Sequence, residues 1–369
     1  MKQIIFDSIE AMLEPEALSE LLDARAHSVK RETLNVAHLS GNELQEILIE
    51  TDAGQTRLVL KEFQPARDWV MRLTHDTLTR EAMLFAHGIY ARMPQEIFVP
   101  VMAIARTSPP SPPTPLSQGE GREVWATLMR DVSADLLPTN EPLSQHDAQL
   151  LLEHLAALHA QFTNDATIQN SALGLSSLYD FLTILSPARV QDEIDAGRAH
   201  PILEMAARGW QEFFASAPNA VQKTVRALQE NPVTLMNELE RMPQTLIHGD
   251  FKLGNLGIAR SSPSPPTPLP QSGRGAQTIL LDWQDATRGA GVLDLGYFLA
   301  LNARWLPFSK EDAIEMYQSA LNTRGSFVST REIEIGLLAG GALRLLWLMV
   351  MNTQNELEWW YDLVRRIRI

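Results

Sequence analysis

The sequence predicts an α+β fold of two lobes, with an antiparallel β-sheet and one helix over residues 1–132 and a larger, mainly α-helical lobe over residues 133–369. Short apolar runs bounded by turn residues fill the first part of the chain, and this pattern is typical of strands. Apolar residues at helical spacing dominate residues 178–240 and 310–369. With 369 residues and 45% apolar content, the chain can bury more than one hydrophobic core.

The predicted sheet begins with strands joined by tight turns. Residues 33–40 and 44–51 are predicted as two strands around a Gly41-Asn42 turn, and residues 57–63 as a third strand after a second turn. Two charged residues in and after the third strand are candidates for a function. Lys61 lies near the end of the third strand, and Glu81 lies twenty residues later in a run with helical spacing. A lysine at a strand end is usually only solvated, so it is the spacing of the pair that points to a function.

A Pro-rich repeat interrupts two predicted hairpins. Ser-Pro-Pro-Thr-Pro-Leu occurs at residues 111–116 and again at 264–269. The surrounding tracts, about 107–122 and 261–275, hold 10 of the 22 prolines and therefore cannot form the interior of a strand or helix. Because each tract lies between apolar runs, we predict disordered, exposed insertions at hairpin tips. A docking role for the Pro-x-x-Pro pattern is the alternative.

The first of these hairpins joins predicted strands at 97–105 and 124–129, and a helix follows it. Ser144, with Asp147 three residues later, predicts a capped helix start. His159 on this helix is interpreted as a packing residue rather than a catalyst. The apolar face of the helix is marked by residues at helical spacing, namely Leu151, Leu152, Leu155, Leu158 and Phe162.

The strongest functional pattern is His248-Gly249-Asp250 with Asn255 five residues after the Asp, followed by Asp282 after another strand. Phosphoryl transfer from ATP needs a carboxylate beside the attacking hydroxyl, together with an amide oxygen and a second carboxylate for the magnesium ion. A His-x-Asp triplet alone is weak, because it also occurs in metal sites and turns. Here apolar runs at 245–247, 256–259 and 278–281 flank the polar residues and predict strands with a functional loop.

These motifs resemble the aminoglycoside phosphotransferase and choline kinase family, whose signature is His-Gly-Asp, four residues, Asn, and later a hydrophobic pair before an Asp. Asp294-Leu295-Gly296 resembles the start of a helix in the same family. The resemblance implies a protein-kinase-like fold with ATP and Mg²⁺ as co-substrate and cofactor. It covers most of the chain, although its specific motifs cover little of it.

The resemblance implies a role for each motif residue. Asp250 would orient a substrate hydroxyl or accept its proton. Lys252 has the offset of the lysine that lies two residues after the catalytic Asp of protein kinases, and so would meet the transferring phosphoryl group, although many members of the resembled family lack it. Lys61, oriented by Glu81, would steady the triphosphate. The remaining roles are phosphate covering by Gly41 and Asn42, adenine binding by the backbone of Met129 and Arg130, magnesium binding by Asn255 and Asp282, and loop ordering by His248 and Asp294.

Three features favour a small-molecule acceptor with a hydroxyl group. The phosphate-covering loop has the single glycine Gly41, and Trp283-Gln284 replaces the Phe-Gly of protein kinases. Only residues 283–293 separate Asp282 from Asp294, which is too short for a peptide-binding segment. A cluster of Trp347, Trp359, Trp360 and Tyr361 offers a cation box as one interpretation, but its helical spacing favours core packing.

Composition excludes several other classes. The chain has no cysteine, so disulfides and thiolate chemistry are excluded. A net charge of −14 argues against nucleic-acid or anionic-membrane partners. Residues 336–351 form the most apolar run, but Arg344 within it predicts a buried helix. With no secretory signal in residues 1–22, we expect a cytoplasmic protein, and no oligomeric state is predicted.

Two other functions fit parts of the pattern. A nucleotide-binding, kinase-like interaction protein without turnover would keep the fold, but the presence of Lys61, Asp250, Asn255 and Asp282 argues against it. A metal-dependent hydrolase built on His248 and Asp250 would need further ligands. None of the nine histidines provides such a cluster in the sequence.

Overall fold

The computed structural model describes residues 3–34, 41–107, 124–260, 275–352 and 356–367. The two Pro-rich tracts lie almost entirely outside these residues, so their predicted exposure stays a prediction. Within the described residues the strands are β1 (Ile5–Phe6), β2 (Ala26–Thr33), β3 (Glu43–Thr51), β4 (Gly54–Glu62), β5 (Ile97–Phe98), β6 (Val101–Thr107), β7 (Val124–Arg130), β8 (Gln244–Ile247), β9 (Leu256–Ala259), β10 (Gln277–Leu280) and β11 (Thr287–Ala290).

The α-helices follow the predicted division between a strand-rich first part and a helical second part. They are α1 (Ile9–Met12), α2 (Pro15–Leu22), α3 (Trp69–Leu73), α4 (Arg80–Ala86), α5 (Gln145–Phe162), α6 (Leu178–Thr183), α7 (Pro187–Asp195), α8 (Pro201–Ser216), α9 (Asn219–Glu230), α10 (Val233–Glu240), α11 (Val292–Asn302), α12 (Lys310–Thr323), α13 (Thr330–Gly336), α14 (Leu343–Asn352) and α15 (Leu357–Arg366). A π-helix, Leu337–Ala342, joins α13 to α14. The α+β class is therefore confirmed, with helices α1 to α4 in residues 1–132 where the sequence predicted one.

The chain forms two compact units. Unit 1 consists of Met1–Leu136, Ser171–Gly174 and Gly257–Gln284, and unit 2 consists of Leu137–Asn170, Leu175–Leu256 and Asp285–Ile369. The first boundary lies four residues after the predicted one at 132. Residues 257–284, which we predicted in the second lobe, belong to unit 1, because β10 pairs with β5 there.

Unit 1 contains a mixed sheet with the strand order β1-β6-β7-β4-β3-β2. The pair β1 and β6 is parallel, and the other neighbouring pairs are antiparallel. Residues on one face of this sheet, such as Ile47, Leu60 and Leu128, are fully buried with Met12 and Leu18 of the first two helices. On the opposite face Lys61 lies directly across from Thr127, so the sheet presents this lysine away from that core.

Two predicted strands need comment. Most of the strand predicted at 33–40 lies outside the described residues, and the strand that pairs with β3 is Ala26–Thr33, a largely exposed edge strand with little apolar alternation to detect. The strand predicted at 97–105 is divided into β5 and β6, which join different sheets. Pro100 lies between them, and proline cannot donate a hydrogen bond to a strand ladder.

A second, small sheet carries the predicted functional hairpin. Its strand order is β5-β10-β9, so β9 and β10 are neighbours as predicted. Strand β10 is also parallel to β5, with Thr278 opposite Ile97. Asp282 lies two residues after the end of β10. This strand is hydrogen-bonded to β5 on one side and to β9 on the other.

Unit 2 is mainly helical and also contains strand β8, which is antiparallel to β11. The helical segment Thr330–Asn352 is long and apolar enough to cross a membrane, but 89% of its most apolar stretch is buried inside the fold. This confirms the prediction of a buried helix around Arg344. Core packing also accounts for Trp347 and Trp360, which are 2% and 0% exposed.

Close backbone packing holds α11 against the π-helix. A Cβ atom at Gly340 would lie 2.0 Å from the carbonyl oxygen of Leu293, and one at Gly336 would lie 2.1 Å from Cγ2 of Val292. Gly296 on α11 is equally close, at 2.9 Å from the carbonyl oxygen of Gly336. Only glycine permits these backbones to approach, and their contact fixes the position of the residues that follow on each helix.

We expect Gly340→Ala to lower the free energy of unfolding by at least about 1–3 kcal/mol, because the added methyl group must displace backbone rather than a mobile side chain. Urea denaturation measures this change. Gly275→Ala is the control, since a Cβ atom there would meet nothing within 4 Å. Equal stabilities of the two variants would contradict the close packing of α11 and the π-helix.

Candidate active site

Unit 1 brings Lys61, Glu81 and Asp282 together. The Lys61 Nζ atom donates to Glu81 Oε2 at 2.7 Å and to Asp282 Oδ1 at 2.8 Å. The side chains of Lys61 and Glu81 are 9% and 2% exposed, whereas that of Asp282 is 34% exposed. Asp282 is therefore the member of this set that solvent, a metal ion or a phosphate can reach. The sequence predicted the Lys61–Glu81 pair but not the direct contact with Asp282.

Burial and charge act in opposite directions on this set. Burial by itself lowers the pKa of Lys61, but the carboxylates of Asp282 and Glu81 outweigh burial, and its pKa is raised. Burial raises the pKa of Glu81, and the positive charge of Lys61 only partly opposes that rise. A single ammonium group thus pairs with two carboxylates in a largely buried site. Such a set favours the arrival of further positive charge, as a metal ion would bring.

The backbone of Asp282 has an uncommon conformation, with φ of 63° in the left-handed region. For residues other than glycine this backbone conformation is strained, and it persists only where neighbouring residues hold it. Trp283, which follows, is 1% exposed and its ring lies 5.7 Å from that of Tyr90. The carbonyl of Gln284 accepts a hydrogen bond from the buried Arg80 guanidinium. These neighbours hold the Asp282 carboxylate towards Lys61.

Asp68 holds the turn at Gly41 and Asn42, which we predicted to cover the phosphates. Gly41 has φ of 103°, and a Cβ atom there would lie 2.8 Å from the carbonyl oxygen of Arg67. Asn42 is 6% exposed, and its Nδ2 donates to Asp68 Oδ2 at 2.6 Å. Because the Asn42 side chain is used inside unit 1, a contact of Asn42 with ATP would have to come from its backbone.

Asp68 itself was missed by sequence reasoning. It is fully buried, and its Oδ2 also accepts from Gln284 Nε2 at 2.7 Å. Burial raises the pKa of Asp68, with the hydrogen bonds from Met71 and Gln284 opposing the rise. Asp68 thereby links the Asn42 turn to the residues after Asp282. The only sequence signal for Asp68 was its position just before the apolar residues of α3. There its side chain accepts a hydrogen bond from the Met71 N–H and caps the helix.

The predicted adenine-binding residues lie at the end of β7. Met129 is opposite Val59 in the sheet, on the same face as Lys61. The backbone N–H of Arg130 donates to the carbonyl of Pro100 at 3.0 Å, so a contact of Arg130 with adenine would have to use its carbonyl oxygen. The side chain of Arg130 is half-buried, and burial lowers its pKa.

Unit 2 brings Asp250, Lys252 and Asn255 together in the loop after β8. Asp250 Oδ2 accepts from Lys252 Nζ at 2.5 Å and from Asn255 Nδ2 at 2.8 Å. Its other oxygen, Oδ1, accepts from the hydroxyl of Tyr297 at 2.7 Å. The side chain of Asp250 is 13% exposed. The first three residues were predicted, and Tyr297, three residues after Asp294 on α11, was not.

The same loop is held by Asp294. Asp294 Oδ1 accepts from the backbone N–H of Gly249, and Oδ2 accepts from that of His248, both at 2.8 Å. Gly249 has φ of 85°, and a Cβ atom there would lie 2.3 Å from the carbonyl oxygen of Asp285. His248 is fully buried and its Nδ1 accepts from the Asp250 N–H at 3.3 Å. These are the contacts that the loop-ordering prediction for His248 and Asp294 requires.

His159 extends this support into the helices. Its Nε2 lies 3.2 Å from Asp294 Oδ2, and its Nδ1 lies 2.7 Å from the Tyr317 hydroxyl. His159 is 1% exposed, in agreement with the prediction of a packing residue. His159 thus contacts the Asp294 carboxylate, which in turn holds the backbone of His248 and Gly249.

The oxygen ligands needed by Mg²⁺ are present in the two predicted metal residues. Asn255 Nδ2 donates to Asp250, which leaves Asn255 Oδ1 as the atom suited to a metal, and Asp282 supplies a carboxylate. Mg²⁺ is usually held by one or two carboxylates together with substrate phosphates. Among the residues that the structure describes, no group of three or more His, Cys, Asp or Glu side chains is placed to hold a metal.

The chain is similar to solved structures of small-molecule kinases. A microcompartment-associated aminopropanol kinase has 16% identity, with 91% of this chain and 89% of that chain covered and a TM-score of 0.47. A choline kinase from Streptococcus pneumoniae has 14% identity, coverage of 92% and 90%, and a TM-score of 0.46. A spectinomycin phosphotransferase, solved with ADP and spectinomycin, has 12% identity, coverage of 96% and 94%, and a TM-score of 0.46.

These three proteins are kinases or phosphotransferases of small molecules, the class that the sequence motifs resemble. Neither a protein-family model nor a curated protein sequence matches the chain. Because the identities are 16% or less and the TM-scores are below 0.5, the function proposed below rests on the residues of the site.

Proposed function

We propose that this protein is an ATP- and Mg²⁺-dependent phosphotransferase that acts on a hydroxyl group of a small molecule. The observation that carries the proposal is that the predicted residues form two bonded sets. Lys61, Glu81 and Asp282 form one set in unit 1. The other set, in unit 2, consists of Asp250, Lys252 and Asn255.

The residues of unit 1 are assigned to the nucleotide. Lys61 binds the phosphates, and Glu81 keeps its ammonium group in place, as their 2.7 Å contact supports. Asp282 and Asn255 are each assigned to the metal on the resemblance of their motifs. When bound, Mg²⁺ supplies positive charge that offsets the charge developing on the phosphate oxygens. Gly41, Asn42, Met129 and Arg130 complete the proposed ATP site through their backbones.

The residues of unit 2 are assigned to the acceptor. Asp250 accepts a hydrogen bond from the acceptor hydroxyl and orients its oxygen towards the γ-phosphorus. The new O–P bond forms as the bond between the γ-phosphorus and the bridging oxygen of ADP breaks, and the hydroxyl proton passes to Asp250. Lys252, 2.5 Å from Asp250, keeps that carboxylate paired with a positive charge and also lies in the loop where the phosphoryl group would arrive.

The proposed acceptor class rests on the structure of residues 283–293. Four of them form β11, which pairs with β8, so no extended segment remains between Asp282 and Asp294 for a peptide to bind along. A small molecule with a hydroxyl group satisfies this restriction. The net charge of −14 also disfavours nucleic acids as acceptors or partners. We extend the proposal to a cytoplasmic location.

An ATP-consumption screen tests the proposed function. The acceptors are amino alcohols such as aminopropanol and choline, aminoglycoside-like antibiotics such as spectinomycin, and a metabolite extract with radiolabelled ATP. We expect ADP release that requires Mg²⁺ and is stimulated by one compound class, with the label recovered in a small molecule. Transfer of label to protein substrates alone, or ATP binding without any transfer, would support the alternative of a protein kinase or an inactive interaction protein.

A further inference from the structure

Tyr297 is a buried tyrosine that touches the proposed catalytic carboxylate. It lies at the middle of α11, about one helical turn after Asp294, and is 9% exposed. Its hydroxyl donates to Asp250 Oδ1 at 2.7 Å. Burial raises the pKa of Tyr297 well above its ordinary value, and the negative charge of Asp250 raises it further. Tyr297 therefore remains a protonated donor throughout the physiological pH range.

Arg344 holds the ring of Tyr297. The centre of its guanidinium group lies 4.6 Å from the centroid of the Tyr297 ring and 4.0 Å from that of Phe181. Its Nη1 donates to the carbonyl oxygen of Gly249 at 2.7 Å, and its Nη2 lies 3.4 Å from Asp285 Oδ2. Arg344 lies two residues after the π-helix, which packs against α11 next to Tyr297: a Cβ atom at Gly341 would lie 2.8 Å from the carbonyl oxygen of Gly296.

The three donors on Asp250 restrict where a further hydroxyl can bind. A carboxylate has about four acceptor positions, two on each oxygen. Among the described residues, Lys252 and Asn255 occupy both positions on Oδ2, and Tyr297 occupies one on Oδ1. The remaining position lies on Oδ1, next to the phenolic oxygen of Tyr297.

We propose that Tyr297 positions the acceptor: by holding Asp250 Oδ1 from one side, it confines the acceptor hydroxyl to the other lone pair of the same oxygen. Arg344 acts through Tyr297 and Gly249, and is a positioning residue for both. This inference rests on the proposed function, because it concerns the hydroxyl that Asp250 orients. It adds a residue that neither the motifs nor their spacing indicated.

Tyr297→Phe tests the proposal, because it keeps the ring over Arg344 and removes only the hydroxyl. The acceptors are water, followed as ADP release without added alcohol, and whichever of choline, aminopropanol and spectinomycin is phosphorylated fastest. We expect kcat with that alcohol to fall about 10- to 100-fold, the effect of one hydrogen bond to a charged group. The loss with water should be smaller, because water can approach Asp250 in more orientations. The Kd of ATP with Mg²⁺ should stay within about twofold, because the proposal assigns ATP to other residues.

Tyr361→Phe is the matched control, since Tyr361 is also buried in unit 2 and its ring packs on Phe213. Wild-type kcat and KM in Tyr297→Phe would overturn the proposal. So would an equal loss of ATP binding and of folding stability, because those outcomes mark Tyr297 as a purely structural residue.

NMR of labelled tyrosine needs no turnover and separates this inference from the proposed function. With ¹³Cζ-labelled tyrosine, the signal that Tyr297→Phe removes identifies Tyr297 among the five tyrosines. We expect the Cζ chemical shift of Tyr297 at neutral pH to differ between Asp250→Asn and wild type, because the carboxylate that accepts from the Tyr297 hydroxyl is gone. No shift in Asp250→Asn would overturn the Tyr297–Asp250 contact. If the shift appears but wild-type protein transfers phosphate to no acceptor, the proposed function and the acceptor role fail together while the contact stands.

Discussion

Asp250→Asn is expected to lower phosphoryl transfer by about 100- to 10,000-fold, the range for removal of a general base. The amide has nearly the same shape as the carboxylate, but it cannot accept the hydroxyl proton, and it presents an NH₂ group to one or more of the three donors around it. The affinity for ATP with Mg²⁺ should be retained, because the residues assigned to ATP lie in unit 1 and Asp250 is assigned neither to ATP nor to the metal. Single-turnover kinetics measures the transfer step, and calorimetry measures nucleotide binding.

The same substitution at Asp195 provides the control for this result. Asp195 lies at the end of α7 and is exposed, so Asp195→Asn should behave as wild type in both measurements. Turnover of Asp250→Asn within a few-fold of wild type would show that Asp250 does not act on the acceptor hydroxyl.

Asp282→Ala is expected to have the second large effect, and on binding rather than on the chemical step alone. Removal of residues that only support a metal ligand lowers metal affinity about 10- to 100-fold, so removal of a ligand should lower it by at least that amount. Asp282 also accepts from Lys61 at 2.8 Å, so its loss leaves Lys61 with Glu81 alone. ATP titrations with and without Mg²⁺ should show that the magnesium-dependent part of the affinity is lost.

Asp52→Ala is the control for the metal prediction, because Asp52 is an exposed carboxylate of unit 1 that pairs with His27. It should leave the magnesium dependence of ATP binding unchanged. A normal magnesium dependence in Asp282→Ala would remove Asp282 from the proposed metal site and would leave its bond to Lys61 as its only assigned role.

Sequence reasoning reached the parts of the site whose residues are close along the chain or joined by a known spacing. Asp250, Lys252 and Asn255 lie within one loop, and Lys61 and Glu81 lie on β4 and α4 with only α3 between them. Residues supplied by distant elements were missed, since only tertiary packing brings them in. Tyr297 and Arg344 reach the loop from 47 and 95 residues away, and Gln284 reaches Asp68 across 216 residues.

The same distinction between local and long-range contacts explains which parts of the fold were predicted. Strands with buried alternating residues, such as β3 and β4, were predicted closely because half of their side chains enter a core. The exposed strand β2 has almost no buried residues and gave no such pattern. The assignment of residues 257–284 to unit 1 was also missed, because the parallel pairing of β10 with β5 joins segments about 180 residues apart, and no local pattern encodes that partnership.

The discontinuity of unit 1 has a consequence for biosynthesis. Its last segment, Gly257–Gln284, leaves the ribosome about 150 residues after Leu136. At about 5–20 residues per second, unit 1 must wait about 7–30 s for β9 and β10 after its first segment has been made. During this interval Lys61 lacks one of its two carboxylate partners and β5 lacks its strand neighbour. A nascent chain stalled before residue 257 should therefore expose a strand edge to chaperones, whereas a chain released beyond residue 284 can close it.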